Sequence, residues 1–489
     1  MKKSIYTLAL ITIISSFNLL ICQVSPNLLG HGAFEDQSNN PLFFVNDEHL
    51  LIYPGNQSSE KSLNQYVWLM KNFSPKTDRI ELKVESAKDS RIIHIEVAES
   101  KFTLYESFFD AKNKTIQIIE HAIVNGELIS KKLLAKYSNK NLSSPTVEFV
   151  SSDMKKSRII LITETSQALG GGLITSIELN YDGSSGITRE TILREKNQDL
   201  KSKKVFLTEH GQLLLITEID HGEGKKHLIY TIDVRNSKID FLNTVIEKNN
   251  DKEIVSYRAY IDLPDNLIVY AIVKGIKDDS KPSLEKYIIG SDQSIKANEL
   301  NFNYVPNPAY HIDGILPISE DFTIFGLRNS KDQDMNSKNS SSSNAIQENP
   351  AILFVCIDKK GNTLWEQKIN SNFHSKIAIQ KSMHSSVTGF SYWIHDNRLI
   401  CLYNNYKEDK KLVALSQDGG VSTFSIEPTI CVFELKSGSY RTSPLKVDEF
   451  VRHKNPVVLT GKIKFPNMKF GMCLVQTEDN KFIPLQLML

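Results

Sequence analysis

A chain of 489 residues is too long for one small hydrophobic core, so it divides into several domains or forms one large repeat architecture. Hydrophobic residues make up 40% of it, ample for burial, while 58 basic and 57 acidic residues leave a formal charge of +1. That balance excludes a global electrostatic attraction to nucleic acid or to an anionic membrane surface.

The N-terminus reads as an address. Lys2 and Lys3 precede an uncharged, mostly apolar run from Ile5 to Ile21, the pattern of a secretory signal with a short basic n-region. Residues 1–22 are therefore expected to be a signal peptide, with a membrane anchor as the alternative because the run is long enough to cross part of a bilayer. Leu19-Leu20-Ile21-Cys22 resembles a bacterial lipobox, with Ile21 standing where that pattern has a small residue. The resemblance implies lipid attachment at Cys22, against ordinary cleavage nearby. The expected location is the periplasm, the outer membrane or the exterior, and a lipid at Cys22 is the expected membrane contact.

Residues 23–40 read as a linker, and the strand patterning starts at residue 41. Each repeat holds an inner strand, a turn, a second apolar strand, a connection of varying length and a hairpin. In the first, Phe43 to Val45 and Leu50 to Tyr53 flank a turn, and Tyr66 to Lys71 with Arg79 to Val84 form the hairpin. The second runs from Ile92 to Leu134 and turns at Asn125-Gly126, the strongest short hairpin signal in the chain. The third uses TVEFVSS, RIILITE, GLITSIELN and ITRETIL, and the fourth spans Lys203 to Ile246. The fifth spans Val255 to Phe302. In the sixth, HIDGILPIS and FTIFGL lead through a long insert to a hairpin, Ala351 to Ile357 and Thr363 to Ile369, that reads as an inner strand followed by a sheet-edge strand. FSYWI, RLICLY, TICVFEL and SYRTSPLKV make the seventh; DEFVRH, VVLTGKI, FGMCLVQT and KFIPLQL make the last.

A repeat of about 40 to 50 residues with four short strands is the signature of a β-propeller. The middle strands carry the physical reason. Leu213 to Ile216, Ile159 to Ile162 and Ile352 to Ile357 are apolar on both parities, so each blade needs a neighbour on both faces. The expectation is an all-β propeller of four-stranded antiparallel blades over residues 41–489, with eight blades favoured and seven as the alternative, since the first repeat is weakly patterned. The C-terminal strand Lys481 to Leu487 should lie in the last blade and pack on the first.

The hairpin LFVCIDKKGNTLWEQKI resembles the repeat unit of PQQ-like and WD40-like propellers, in which an apolar strand ends in an acidic residue, turns at glycine and returns through Leu-Trp. LIYTIDVRNSKIDFL and CVFELKSGSYRTSPL keep a looser form of it. Quinoprotein dehydrogenases look like the enzymatic relatives, and the outer-membrane assembly lipoprotein of PQQ-like fold looks like the scaffold relative. The enzymes pack a tryptophan in most blades, whereas this chain has only Trp68, Trp365 and Trp393. No cofactor is expected.

Function is less legible. Long connections at residues 329–349, 370–386 and 404–428 should emerge on one rim, around the sixth and seventh blades, and make that loop-rich face the candidate binding surface. The first is a polar low-complexity run expected to be a disordered insert. NYVPNPAYH offers Tyr304, Pro306, Tyr310 and His311, rigid aromatics between prolines that suit contact with a protein or a sugar; Phe373 and His374 reach the same rim. His374, His384, His395 and His311 have no spacing that fixes them as metal ligands, so no metal is expected. Glu164, Glu218 and Asp220 are carboxylates that a glycoside hydrolase would need as a pair, yet sequence sets no two at catalytic separation, and no catalytic residue is assigned. Cys356, Cys401, Cys431 and Cys473 lack CxxC spacing and read as separate buried thiols, a disulfide requiring two of them on facing strands. The expectation is a monomeric, non-catalytic binding or scaffolding propeller of the bacterial envelope or exterior with a protein partner, a glycan being the second ligand class. The alternative is a propeller enzyme acting on extracellular carbohydrate.

Overall fold

The computed structural model describes residues 25–28, 34–35, 42–46, 49–53, 65–71, 77–82, 84, 89–98, 101–152, 158–166, 171–179, 185–193, 198–208, 212–220, 225–233, 238–242, 252–262, 266–275, 283–289, 295–300, 310–319, 322–329, 351–370, 390–408, 424–445, 457–458, 470–476 and 481–488. They form an all-β propeller of antiparallel sheets, each a meander of strands consecutive in the chain except the last, which N-terminal strands also join. In chain order the first sheet runs from Leu42–Val45 to Thr77–Leu82 and the second from Ser90–Ala98 to Glu127–Ser138. The third runs from Thr146–Ser151 to Ser185–Leu193, the fourth from Gln198–Leu207 to Lys238–Leu242, and the fifth from Lys252–Asp262 to Ile295–Leu300. Tyr310–Ser319 to Thr363–Asn370 make the sixth and Phe390–His395 to Tyr440–Pro444 the seventh. Val457–Val458, Phe470–Gln476 and Lys481–Met488 belong to the eighth.

The two-sided apolar strands explain this stacking. In the second strand of the third sheet, Ile160 and Ile162 enter the core shared with the second sheet, while Ile159 and Leu161 enter the core shared with the fourth. Leu213 and Leu215 of the fourth sheet face back to the third, and Leu214 and Ile216 face forward to the fifth. Alternation along one strand thus feeds two cores, and each fully buried aliphatic side chain contributes about 1.5–3 kcal/mol. The first strands of neighbouring sheets meet one another, Ser90–Ala98 with Thr146–Ser151 and Lys252–Asp262 with Tyr310–Ser319, so they lie innermost around the axis. Fourth strands lie outermost: Tyr440–Pro444 is exposed throughout, and Leu364, on the strand expected to form a sheet edge, is 54% exposed.

Two stretches depart from expectation. Within the span read as a linker, Ser25–Leu28 and Phe34–Glu35 are strands that pair with Lys481–Met488, Ser25 opposite Met488 and Phe34 opposite Phe482. The C-terminal strand has an edge whose N–H and C=O groups its own repeat does not cover, and the N-terminal segment covers it. Pro26 hides this in the sequence, although proline is tolerated on an edge strand. The connection expected over 404–428 is also shorter, because Arg398–Glu408 and Phe424–Glu434 pair out to Glu408 opposite Phe424. The DEFVRH stretch of the last repeat lies outside the described residues.

The Leu-Trp hairpin locks the sixth sheet to the seventh. Trp365 Nε1 donates to the Leu435 carbonyl at 2.6 Å, and its ring lies 6.2 Å from that of Phe433 in a stacked arrangement. Gly438 sits under the indole at φ +68, where an added Cβ would come within 2.7 Å of the Trp365 ring. Gly438→Ala is therefore expected to lower stability by about 1–3 kcal/mol, from left-handed strain and displacement of the indole, read as a lower denaturant midpoint.

Candidate binding cleft

A cleft of about 240 Å³ opens between the fifth and sixth sheets. Its walls come from the ends of strands. Tyr260 and Asp262 close the first strand of the fifth sheet, Pro317 to Thr323 turn between the first two strands of the sixth, and Asp358 to Gly361 turn between its last two. It therefore lies on the rim that carries the first-to-second and third-to-fourth turns. Propeller strands alternate in direction, so this rim is opposite the one bearing the long connections.

Aromatic packing sets the geometry. Tyr270 is buried, its ring edge-on to Phe325 of the sixth sheet at 4.8 Å and stacked with Tyr260 at 6.4 Å. Lys286 places its Nζ 5.5 Å above the Tyr270 ring, within cation–π range, and lines the cleft beside Asp262. Burial pushes the Tyr260 hydroxyl well above its ordinary range, and the Tyr270 and Asp262 groups add to this, so Tyr260 presents a neutral hydroxyl at physiological pH. The cleft thus offers a neutral phenol, the side chains of Lys286 and Lys359 and the carboxyl groups of Asp262 and Asp358 around an aromatic wall.

Asp358 also lines the cleft, but its oxygens are engaged. Oδ1 accepts from the Lys360 and Asn362 backbone N–H groups at 2.8 Å each, and Oδ2 accepts from Asn362 Nδ2 at 2.8 Å. The Asn362 contacts hold its carboxyl below the usual range, so it stays ionised and serves its turn. A general acid needs the reverse shift.

Glu164 accepts from Ser143 N, Ser143 Oγ and Ser144 N at 2.8–3.1 Å, fastening the connection before the third sheet. Glu218 and Asp220 lie on one strand, opposite His227 and Lys225 of the next, with their side chains outside the description. In the second sheet, His121 Nε2 lies 2.7 Å from Glu106 Oε2 with both side chains fully buried. His121 Nδ1 and Glu106 Oε1 have no hydrogen-bond partner. This pair faces the first sheet, where burial and the nearby Glu106 push Tyr53 upward. With both side chains fully buried, the pair is not read as catalytic.

The sequence-chosen residues are not brought together by what is described. Tyr310 and His311 lie at the start of Tyr310–Ser319, opposite Asn329 and Arg328, with side chains outside the description. Tyr304, Pro306, Phe373, His374 and Cys22 lie outside the described residues, as does the 329–349 insert after Asn329. His395 pairs with its neighbour Asp396 at 3.4 Å. Among the described residues, no three His, Cys, Asp or Glu side chains gather as metal ligands. The cleft residues Tyr260, Tyr270 and Lys286 were missed because loop length was used to choose the rim; the signal available was the tyrosine pair in SYRAYID and NLIVYAIVKG.

No protein-family model matches the chain, and no curated protein matches it. Solved structures similar to it include the β-propeller domain of the Trilobed protease from Pyrococcus furiosus, 9% identical over 83% of this chain and 98% of that one, with a TM-score of 0.36. Prolyl oligopeptidase B from Galerina marginata is 11% identical over 90% of this chain and 55% of its own length, TM-score 0.40. The polysaccharide lyase Uly1 is 7% identical over 81% of this chain and 89% of its own, TM-score 0.38. Nothing about activity follows from likenesses at this level.

Proposed function

We propose that the chain is a non-catalytic binding module of the bacterial envelope or exterior, an eight-bladed propeller that holds a protein partner by a side chain seated in the cleft between the fifth and sixth sheets. The cleft itself carries this reading. Its volume of about 240 Å³ falls below the ~300–1,000 Å³ of typical small-molecule sites, which suits one anchoring side chain better than an oligosaccharide. Its aromatic wall and the ammonium groups of Lys286 and Lys359 supply the rigid contact and the polar fix that interface anchors use. The commitment of Asp358 to its own turn leaves Asp262 without a free carboxylate partner among the described cleft residues, which weighs against the carbohydrate-cleaving alternative.

Tyr260→Ala is expected to weaken partner binding by about tenfold or more, close to 1.4 kcal/mol, with the fold intact by circular dichroism. The partner is recovered from envelope extracts by affinity capture and its affinity measured with purified components. Polysaccharide cleavage by the wild type that Asp262→Asn abolishes would establish the enzyme instead.

A further inference from the structure

Cys356, Cys401 and Cys431 are fully buried in the core between the sixth and seventh sheets. Their positions are not equivalent. Cys401 lies in Arg398–Glu408 and Cys431 in Phe424–Glu434, and the antiparallel register sets the two directly opposite each other. Directly opposed residues share a face and hold their Cα atoms about 4.5–5.5 Å apart, inside the ~4.4–6.8 Å that a disulfide spans. Cys356, by contrast, stands in the sixth sheet opposite Ile324 and Trp365. Tyr403, two residues from Cys401, gives a second view: burial first, then Cys431 and Cys401, push its hydroxyl upward, so both cysteines lie near one ring.

We propose that Cys401 and Cys431 are a disulfide-forming pair, closed by a dithiol–disulfide oxidant as the chain folds. One cysteine thiolate attacks the oxidant's disulfide and expels one of its sulfurs as a thiolate. The second cysteine thiolate then attacks the mixed disulfide, which forms the Cys401–Cys431 bond and releases the oxidant as its dithiol. Two protons and two electrons pass from the pair to the oxidant. Burial sets the timing. In the folded protein it pushes the Cys431 thiol far above the ordinary range, and only the thiolate reacts, so the bond closes before the seventh sheet docks on the sixth. An oxidising compartment supplies such an oxidant. The proposal stands apart from the binding reading, because its test supplies the oxidant directly.

The test is cell-free synthesis of the full chain in a buffer of oxidised and reduced glutathione, with folded material selected by circular dichroism. The product is quenched in acid, unfolded, alkylated with iodoacetamide without reductant and digested for mass spectrometry. The expected result is one joined pair of peptides carrying Cys401 and Cys431, two hydrogens lighter than their sum, with Cys356 alkylated. In Cys431→Ser, Cys401 should become alkylated to the same extent as Cys356. Alkylation of Cys401 and Cys431 to that extent in the wild type overturns the proposal, and so does a bridge from Cys356 to either.

Discussion

His121→Ala is expected to lower stability by about 3 kcal/mol, the upper end of the cost of leaving a buried hydrogen-bonding group unsatisfied. The His121 ring and the Glu106 carboxyl meet at 2.7 Å with no exposed surface, and each already carries one polar atom without a hydrogen-bond partner. Losing the imidazole leaves the carboxyl alone on the face of the second sheet that packs against the first, among Leu104, Phe102 and Ile123. Replacing both partners by leucine should cost less than either single loss, because no orphaned group remains. Guanidinium unfolding of the two alanine variants and the double leucine variant measures this. Additive losses would show that the pair is not energetically coupled.

Phe354→Ala is expected to cost a similar ~3–5 kcal/mol. Phe354 is fully buried and meets Phe390 at 5.6 Å, Tyr392 at 5.5 Å and Phe433 at 5.2 Å, each near edge-to-face. Those three rings belong to the seventh sheet, so the truncation empties the centre of the interface with the sixth. The surrounding strands are pinned by their ladders and cannot collapse into the space. A loss below about 1 kcal/mol would mean that the two sheets do not share a packed core.

These expectations show where sequence reading succeeded and where it stopped. Periodicity was enough for the strands, because apolar runs such as Leu213 to Ile216 require neighbours on both faces and turn residues mark each junction. It was not enough for relations between strands. Glu106 in FTLYESFFD and His121 in TIQIIEHAIV are visible as polar interruptions, yet only the register places His121 opposite Leu104, diagonal to Glu106. Cys401 and Cys431 likewise became a pair only once their strands were aligned. Ser25–Leu28 escaped notice because a strand that completes another repeat's sheet carries no repeat signal of its own. The loop-rich rim was chosen on loop length, which marks where a chain tolerates insertion, whereas the cleft is built by short turns and by side chains from two sheets.

The proposed recognition site is the cleft between the fifth and sixth sheets. Site-specific photo-cross-linking tests it, with p-benzoylphenylalanine in place of Tyr260 in the cleft or of Tyr304 in the NYVPNPAYH stretch, each carried in intact cells. The account predicts a discrete protein adduct from the Tyr260 position, lost when Lys286→Ala is added, and a weaker or absent adduct from the Tyr304 position. An adduct confined to the Tyr304 position would contradict it and move recognition to that stretch.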